Sequence, residues 1–220
     1  MDKSMKRILL AMWIVTALAA VALGGAVWMM HTSASRLNIG ASADPNSGDP
    51  RSGDSAMPVL FDAPGFSDLK DQDGKPFDSE QLRGKVWVAN FVFTHCAGIC
   101  PMMTRNMFEF QKQTPGLAVD MVSFSVDPER DTPAVLKEYA ATNKADETRW
   151  HFLTGATRKQ LWDICSGMKL AVGPDTGDQV MHSSQFLLVD RQGKVRGVYS
   201  SDVDNFMTRL VTDAKKLAAN

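Results

Sequence analysis

Cysteine is scarce. The chain of 220 residues holds three, beside two tyrosines and four histidines. Three thiols cannot staple a fold, so the soluble part must rest on an ordinary hydrophobic core, which a chain of this length can bury. The cysteines are then free for chemistry. An excess of one charge is also missing: 24 Lys and Arg stand against 25 Asp and Glu, a net charge of −1. No basic stripe runs along the chain, so nucleic acid is excluded as the expected partner. There is no internal repeat, and a single apolar run is long enough to cross a bilayer.

That run is Ile8 to Met30, free of charge and preceded by Lys3, Lys6 and Arg7. As a helix it would be about 34 Å long, enough to span. A cleaved signal peptide has an apolar core of only roughly 7–15 residues. Residues 1–30 are therefore expected to be a single N-terminal transmembrane anchor. Thr32-Ser33-Ala34 offers a weak small-residue cleavage site if the segment is instead signal-like. The cations before the span place the N-terminus in the cytoplasm and the rest outside, as in a single-pass protein of a bacterial-type inner membrane with a periplasmic domain. Residues 31–57 are rich in Ser, Gly, Asp and Pro and read as a flexible tether. The globular domain is 58–220.

Within it, Phe66 to Leu69 followed by Asp71 to Gly74 reads as a short strand and turn, and Asp78 caps a brief helix ending at Gly84. Val86 to Phe93 is a near-continuous apolar run, the mark of a strand covered on both faces, and Val119 to Val126 reads as a second buried strand. Between them a helix spans Pro101 to Gln113. Thr132-Pro133 starts another, to about Thr142, with a cap and a proline at the first turn. Phe152 to Thr154 reads as a strand, and Thr157 caps a helix to Ser166. Gln185 to Asp190 and Lys194 to Tyr199 form a hairpin, and an amphipathic helix begins at Asp202. Strands alternating with helices predict an α/β domain with a mixed sheet flanked by helices.

The chemistry gathers where the strand Val86–Phe93 feeds its helix. Cys96 and Cys100 lie four residues apart there, directly before Pro101. If the turn is near-helical, their Cβ atoms are roughly 5–6 Å apart, close enough for a disulfide or for one metal ion between two thiolates. The pair alone leaves both open. A helix N-terminus favours the thiolate for either use. Cys165, on a packed helix, reads as an inert core thiol. His31 and His151 read as surface or packing residues. His95 adjoins Cys96, but neighbouring side chains point to different sides. His182 sits at the end of the loop Gly173–Asp178; placement alone leaves it equally open as a ligand or a structural residue. Two thiolates and an imidazole would suit Cu(I) or Cu(II), whereas zinc usually takes a fourth ligand. Helical spacing makes Met103 and Met107 core residues, with Met102 and Met181 as further thioethers nearby.

These residues together resemble the Sco/SenC family. The similarity runs in order from about residue 60 to 210: Phe93 to Pro101, Ser125 to Pro133 with Leu136 and Tyr139, Trp150 to Gly155, Val180 to Ser183, and Phe186 to Gly193. The resemblance implies a thioredoxin-like domain binding one copper ion per chain, through Cys96 and Cys100 as cysteine ligands and His182 as the histidine ligand. It implies a membrane-anchored copper metallochaperone whose partner is a copper-receiving protein, the copper subunit of cytochrome c oxidase. Where many members carry Pro and an acidic residue between the cysteines, this chain has Ala97 and Gly98. Where many carry Asp before the ligand histidine, it has Met181. The rival is an extracytoplasmic thiol–disulfide reductase acting on a cuproprotein's cysteines, in which Cys96 attacks and Cys100 resolves. The chain is read as a carrier rather than a classical enzyme. A thiol peroxidase lacks support, since no proline leads into Thr94.

Overall fold

Val86-Trp-Val-Ala-Asn-Phe-Val92 is buried at every position, and its place in the sheet explains why. It forms β4, hydrogen-bonded on one side to β5 (Val119–Ser125) in parallel and on the other to β7 (Gln185–Val189) in antiparallel register. A computed structural model describes residues 57–170 and 183–219 of this chain. The expected anchor (1–30), most of the tether, His31, the Gly173–Asp178 loop, Met181 and His182 lie outside the described residues. Among the described residues no helix is long and apolar enough to cross a membrane.

The main sheet has the order β1-β8-β7-β4-β5-β6. Its edges are β1 (Phe61–Asp62), antiparallel to β8 (Lys194–Ser200), and β6 (Trp150–Leu153), parallel to β5. A separate two-stranded ribbon joins β2 (Leu69–Lys70) to β3 (Pro76–Phe77). Among the described residues there are four α-helices: α1 (Cys100–Gln113), α2 (Pro133–Thr142), α3 (Arg158–Gly167) and α4 (Phe206–Ala219). This is the mixed, helix-flanked sheet expected of a thioredoxin-like domain.

Local chemistry sets the element ends. Thr132 and Thr157 each accept an N–H of the first turn they precede, from Val135 and Gln160, and Asp78 does so for Glu80 in a single 3-10 turn, Ser79–Leu82. Such caps are worth about 1 kcal/mol each. Gly84 ends that turn at φ +74°, a conformation glycine adopts without strain. The last helix begins at Phe206, four residues after the expected Asp202. The Asp202 carboxylate is taken by the Ser184 and Ser200 hydroxyls at 2.5 and 3.1 Å, and Asn205 is left-handed at φ +64°, so the chain turns before it can coil. The edge strand found at 150–153 starts earlier than expected, while Thr154 exchanges backbone hydrogen bonds with Lys70 at 2.9 Å each.

The sheet's two faces differ in polarity. Phe91 and Phe124 stack at 5.2 Å on one face, with Phe66 edge-on to Phe124. On the other, Asn90, Ser123 and Phe152 lie level across three strands. There the Trp150 indole N–H donates to Ser123 Oγ at 3.0 Å, which donates to Asn90 Oδ1 at 2.7 Å. Tyr139 of α2 meets Phe152 edge-on, and its hydroxyl bonds Thr104 of α1 at 2.8 Å. Both helices therefore lie over this polar face.

Candidate metal centre

The parallel strands β4 and β5 end on the same side, and the loop after β4 carries the thiols there. Phe93 to Ile99 forms the loop: Cys96 N–H returns to the Phe93 carbonyl at 3.3 Å, and the Met102 and Met103 N–H groups bond the Ile99 carbonyl at 3.0 Å each. The first turn of α1 begins on Cys100 itself, with Pro101 next and no side-chain cap. All three cysteines are free thiols.

Cys96 and Cys100 are brought together as the spacing requires. They are 8% and 2% exposed, and the two thiols are close enough to influence each other's titration. Burial first, and then the hydrogen bond with Cys96, pushes the Cys100 thiol up to about 12, with the nearby Asp131 charge adding to the shift. The helix end therefore does not make Cys100 a resting thiolate, contrary to the sequence-level expectation; desolvation outweighs the dipole. The Gly98 N–H donates to Cys96 Sγ at 3.4 Å. A Cβ at Gly98 would sit 3.8 Å from that sulfur, an ordinary contact, so space does not demand glycine here.

The loop is held by Asp131, a fully buried carboxylate between β5 and α2. It accepts the Thr94 hydroxyl at 2.5 Å, the Thr94 N–H at 3.1 Å and the Ser125 hydroxyl at 2.6 Å. Thr94 Oγ also contacts His95 Nδ1 at 3.0 Å. His95 is exposed while Cys96 is buried, so the two side chains do diverge. Sequence reasoning assigned Asp131 no role. Its one signal was the place of Asp131 within Ser125–Pro133, just ahead of the cap residue Thr132.

The other candidates separate cleanly. Met103 and Met107 are fully buried in the core, while Met102 is 43% exposed. Cys165 is buried in α3, its thiol pushed well above the usual range by desolvation. His151 packs on Phe77 with ring centroids 5.0 Å apart, and burial lowers its pKa. Among the described residues no three His, Cys, Asp or Glu side chains gather as a metal site. The described centre is thus a pair of adjacent sulfurs, a soft half-site that needs another donor.

The next described residues after 182 lie close by. β7 runs antiparallel to β4 with Ala89 opposite Leu187, so Gln185 starts the strand at the sheet end where the thiol loop leaves β4. The Ser184 carbonyl accepts the Ser201 N–H at 2.8 Å, and Ser201 Oγ contacts Met103 Sδ of α1 at 3.6 Å.

A thioredoxin-like sheet with a buried thiol pair at the end of its central parallel strand defines a thiol- or metal-handling domain. The chain belongs to the SCO1/SenC family, whose profile matches residues 63–217. The SCO1 protein homolog of Bacillus subtilis is 36% identical over 162 residues, spanning 72% of this chain and 83% of that one. A solved structure described as a disulfide switch in BsSco, a member of the Sco family of cytochrome c oxidase assembly proteins, is 37% identical. It superposes with a TM-score of 0.66 over 74% of this chain and 98% of that one. Bradyrhizobium japonicum ScoI with copper bound is 26% identical, with a TM-score of 0.58 over 70% and 98% of the two chains.

Proposed function

We propose that this chain binds one copper ion through Cys96, Cys100 and His182 and passes it to the copper subunit of cytochrome c oxidase during assembly. The observation that carries the reading is the buried, adjacent thiol pair at the sheet end where β7 begins, three residues after His182. Soft sulfur donors suit copper, and an imidazole completes a three-ligand set. Family membership and the copper-bound Bradyrhizobium relative support it. Residues 1–30 anchor the chain in a bacterial-type inner membrane, the following segment tethers it, and the domain works on the outer side.

Cys96 and Cys100 bind as thiolates, so copper must displace their protons. The buried Asp131 carboxylate disfavours thiolates in the empty site, and the same charge favours a cation once one enters. The test is copper reconstitution of the chain. One equivalent with a thiolate-to-Cu(II) absorption band is expected, lost in Cys96→Ala, Cys100→Ala and His182→Ala, with affinity falling from pH 8 to pH 5. Full uptake by the His182 variant overturns the three-ligand site.

A second reading is favoured by the contact between the two thiols. Cys96 attacks a partner disulfide and Cys100 closes on Cys96, so two electrons and two protons pass to the partner as the Cys96–Cys100 bond forms. Metal-free reduction of an oxidised copper subunit, indifferent to His182→Ala, would mark this role.

A further inference from the structure

Beside the thiol loop an open groove of about 840 Å³ runs between α1 and α2. Thr94, His95 and Pro101 bound its near end, and Asn143 and Lys144 its far end. Phe108 on α1, with Val135 and Tyr139 on α2, gives it an apolar lining. From Pro101 to Phe108 the helix advances about 10 Å at 1.5 Å per residue. That is the length of about three extended residues. The groove is therefore shaped for a short extended segment, and its near end touches the residues that lead into Cys96.

Its charge is unbalanced. Arg105 and Lys144 both face it, and among the described residues neither is paired with a carboxylate. Lys112, further along the same helix, is by contrast taken up by Glu109. Among the described residues Glu138 is the single carboxylate lining the groove, and it forms no ion pair with either cation. Among the described residues two cations without a carboxylate partner face one carboxylate, beside the half-buried rings of Phe108 and Tyr139, and this calls for an acidic occupant with an apolar side chain. The thiols are only 8% and 2% exposed, so copper cannot leave by the touch of two flat surfaces. A receiving protein must be held in register at the loop.

Resting on the copper-transfer reading above, we propose that this groove seats an extended acidic segment of the copper-receiving protein. Its carboxylates meet Arg105 and Lys144, and an apolar side chain packs on Phe108 and Tyr139. The segment docks alongside α1 and so brings the receiver's own ligands to the near end of the groove, at Thr94 and His95.

The test uses the full-length, copper-loaded chain in detergent, with the purified apo copper subunit of the same organism's cytochrome c oxidase as probe. Arg105→Glu combined with Lys144→Glu is expected to weaken binding about tenfold at low ionic strength and to flatten its salt dependence. Glu138→Lys is expected to bind at least as tightly as the unaltered chain, and all three forms to hold the same copper. Undiminished binding by the double variant overturns the proposal. So does an unaltered chain that holds copper yet does not bind the subunit, which leaves the copper reading standing. A chain that takes up no copper overturns that reading and this one with it. A benzophenone amino acid at Thr142 identifies the occupant. Crosslinks to the subunit support the proposal, and crosslinks confined to the chain's own N-terminal segment or to a second copy overturn it.

Discussion

Asp131 ties two loops that the sequence holds 37 residues apart at Thr94. Its carboxylate has no solvent to fall back on, so each partner it loses is left with an unmet hydrogen-bonding group. Asp131→Ala should cost about 2–3 kcal/mol, because hydrogen bonds to charged groups are each worth roughly 1.5–3 and are not additive. Urea unfolding measures this, and amide exchange at Thr94 should quicken in the same variant. A loss below about 0.5 kcal/mol, the level of an ordinary surface change, would mean that the carboxylate does not hold the thiol loop. Residues of this kind are where sequence reading stops. Cys96 and Cys100 announce themselves by type and spacing. A carboxylate in an acidic stretch with Asp127 and Glu129 looks solvated, and only the fold shows that Asp131 is turned inward. His182 enters as a candidate through family likeness alone, since a lone histidine at a loop end carries no spacing signal of its own.

At the scale of elements, legibility followed how local the determinants are. β4 declared itself by a near-continuous apolar run and β5 by its concentration of apolar residues, and α2 and α3 by a threonine cap with helix-forming residues behind it. β1 and β3 did not, because each is two residues long and exists only through its partner, Phe61 against Val195 and Pro76 against Lys70. The first of these pairings is set by the rest of the fold rather than by its own residues. β8 carries a comparable long-range determinant at Gly197. The Tyr199 ring, 2% exposed, folds back across that glycine so that its hydroxyl donates to Asp213 of α4 at 2.8 Å. A Cβ at position 197 would stand 2.4 Å from the Tyr199 hydroxyl oxygen. Gly197→Ala should therefore displace Tyr199 from Asp213 and cost about 1–3 kcal/mol, as overpacking does. The check is the urea midpoint, and a Tyr199→Phe background should reduce the penalty.

For the whole molecule, the described domain should lose stability on mild acidification through His151. Burial against Phe77 holds its pKa below 6.5, with Asp120 and Asp71 opposing the shift and Lys85 assisting it. Above pH 6.5 the imidazole is neutral whether the chain is folded or not. As pH falls through 6.5 the unfolded chain takes a proton that the folded one refuses, so stability declines until the folded value is reached. His151→Gln should flatten the change in urea midpoint between pH 7.5 and pH 5.5, above the range where carboxylates titrate. An unchanged slope in that variant would assign the acid sensitivity elsewhere.

Cys165 gives the molecule a property that concerns mistakes rather than activity. Three cysteines allow three internal pairings, and wherever thiols are oxidised a spare one invites the wrong pairing. This one is fully buried inside α3, away from the thiol loop, so no outside thiol or disulfide reaches it while the domain is folded. While the domain is folded, Cys165 is therefore kept out of disulfide pairing, and the two thiols left to meet an oxidant are Cys96 and Cys100. The third sulfur serves as filling, and the packing around it works as an error filter on disulfide pairing.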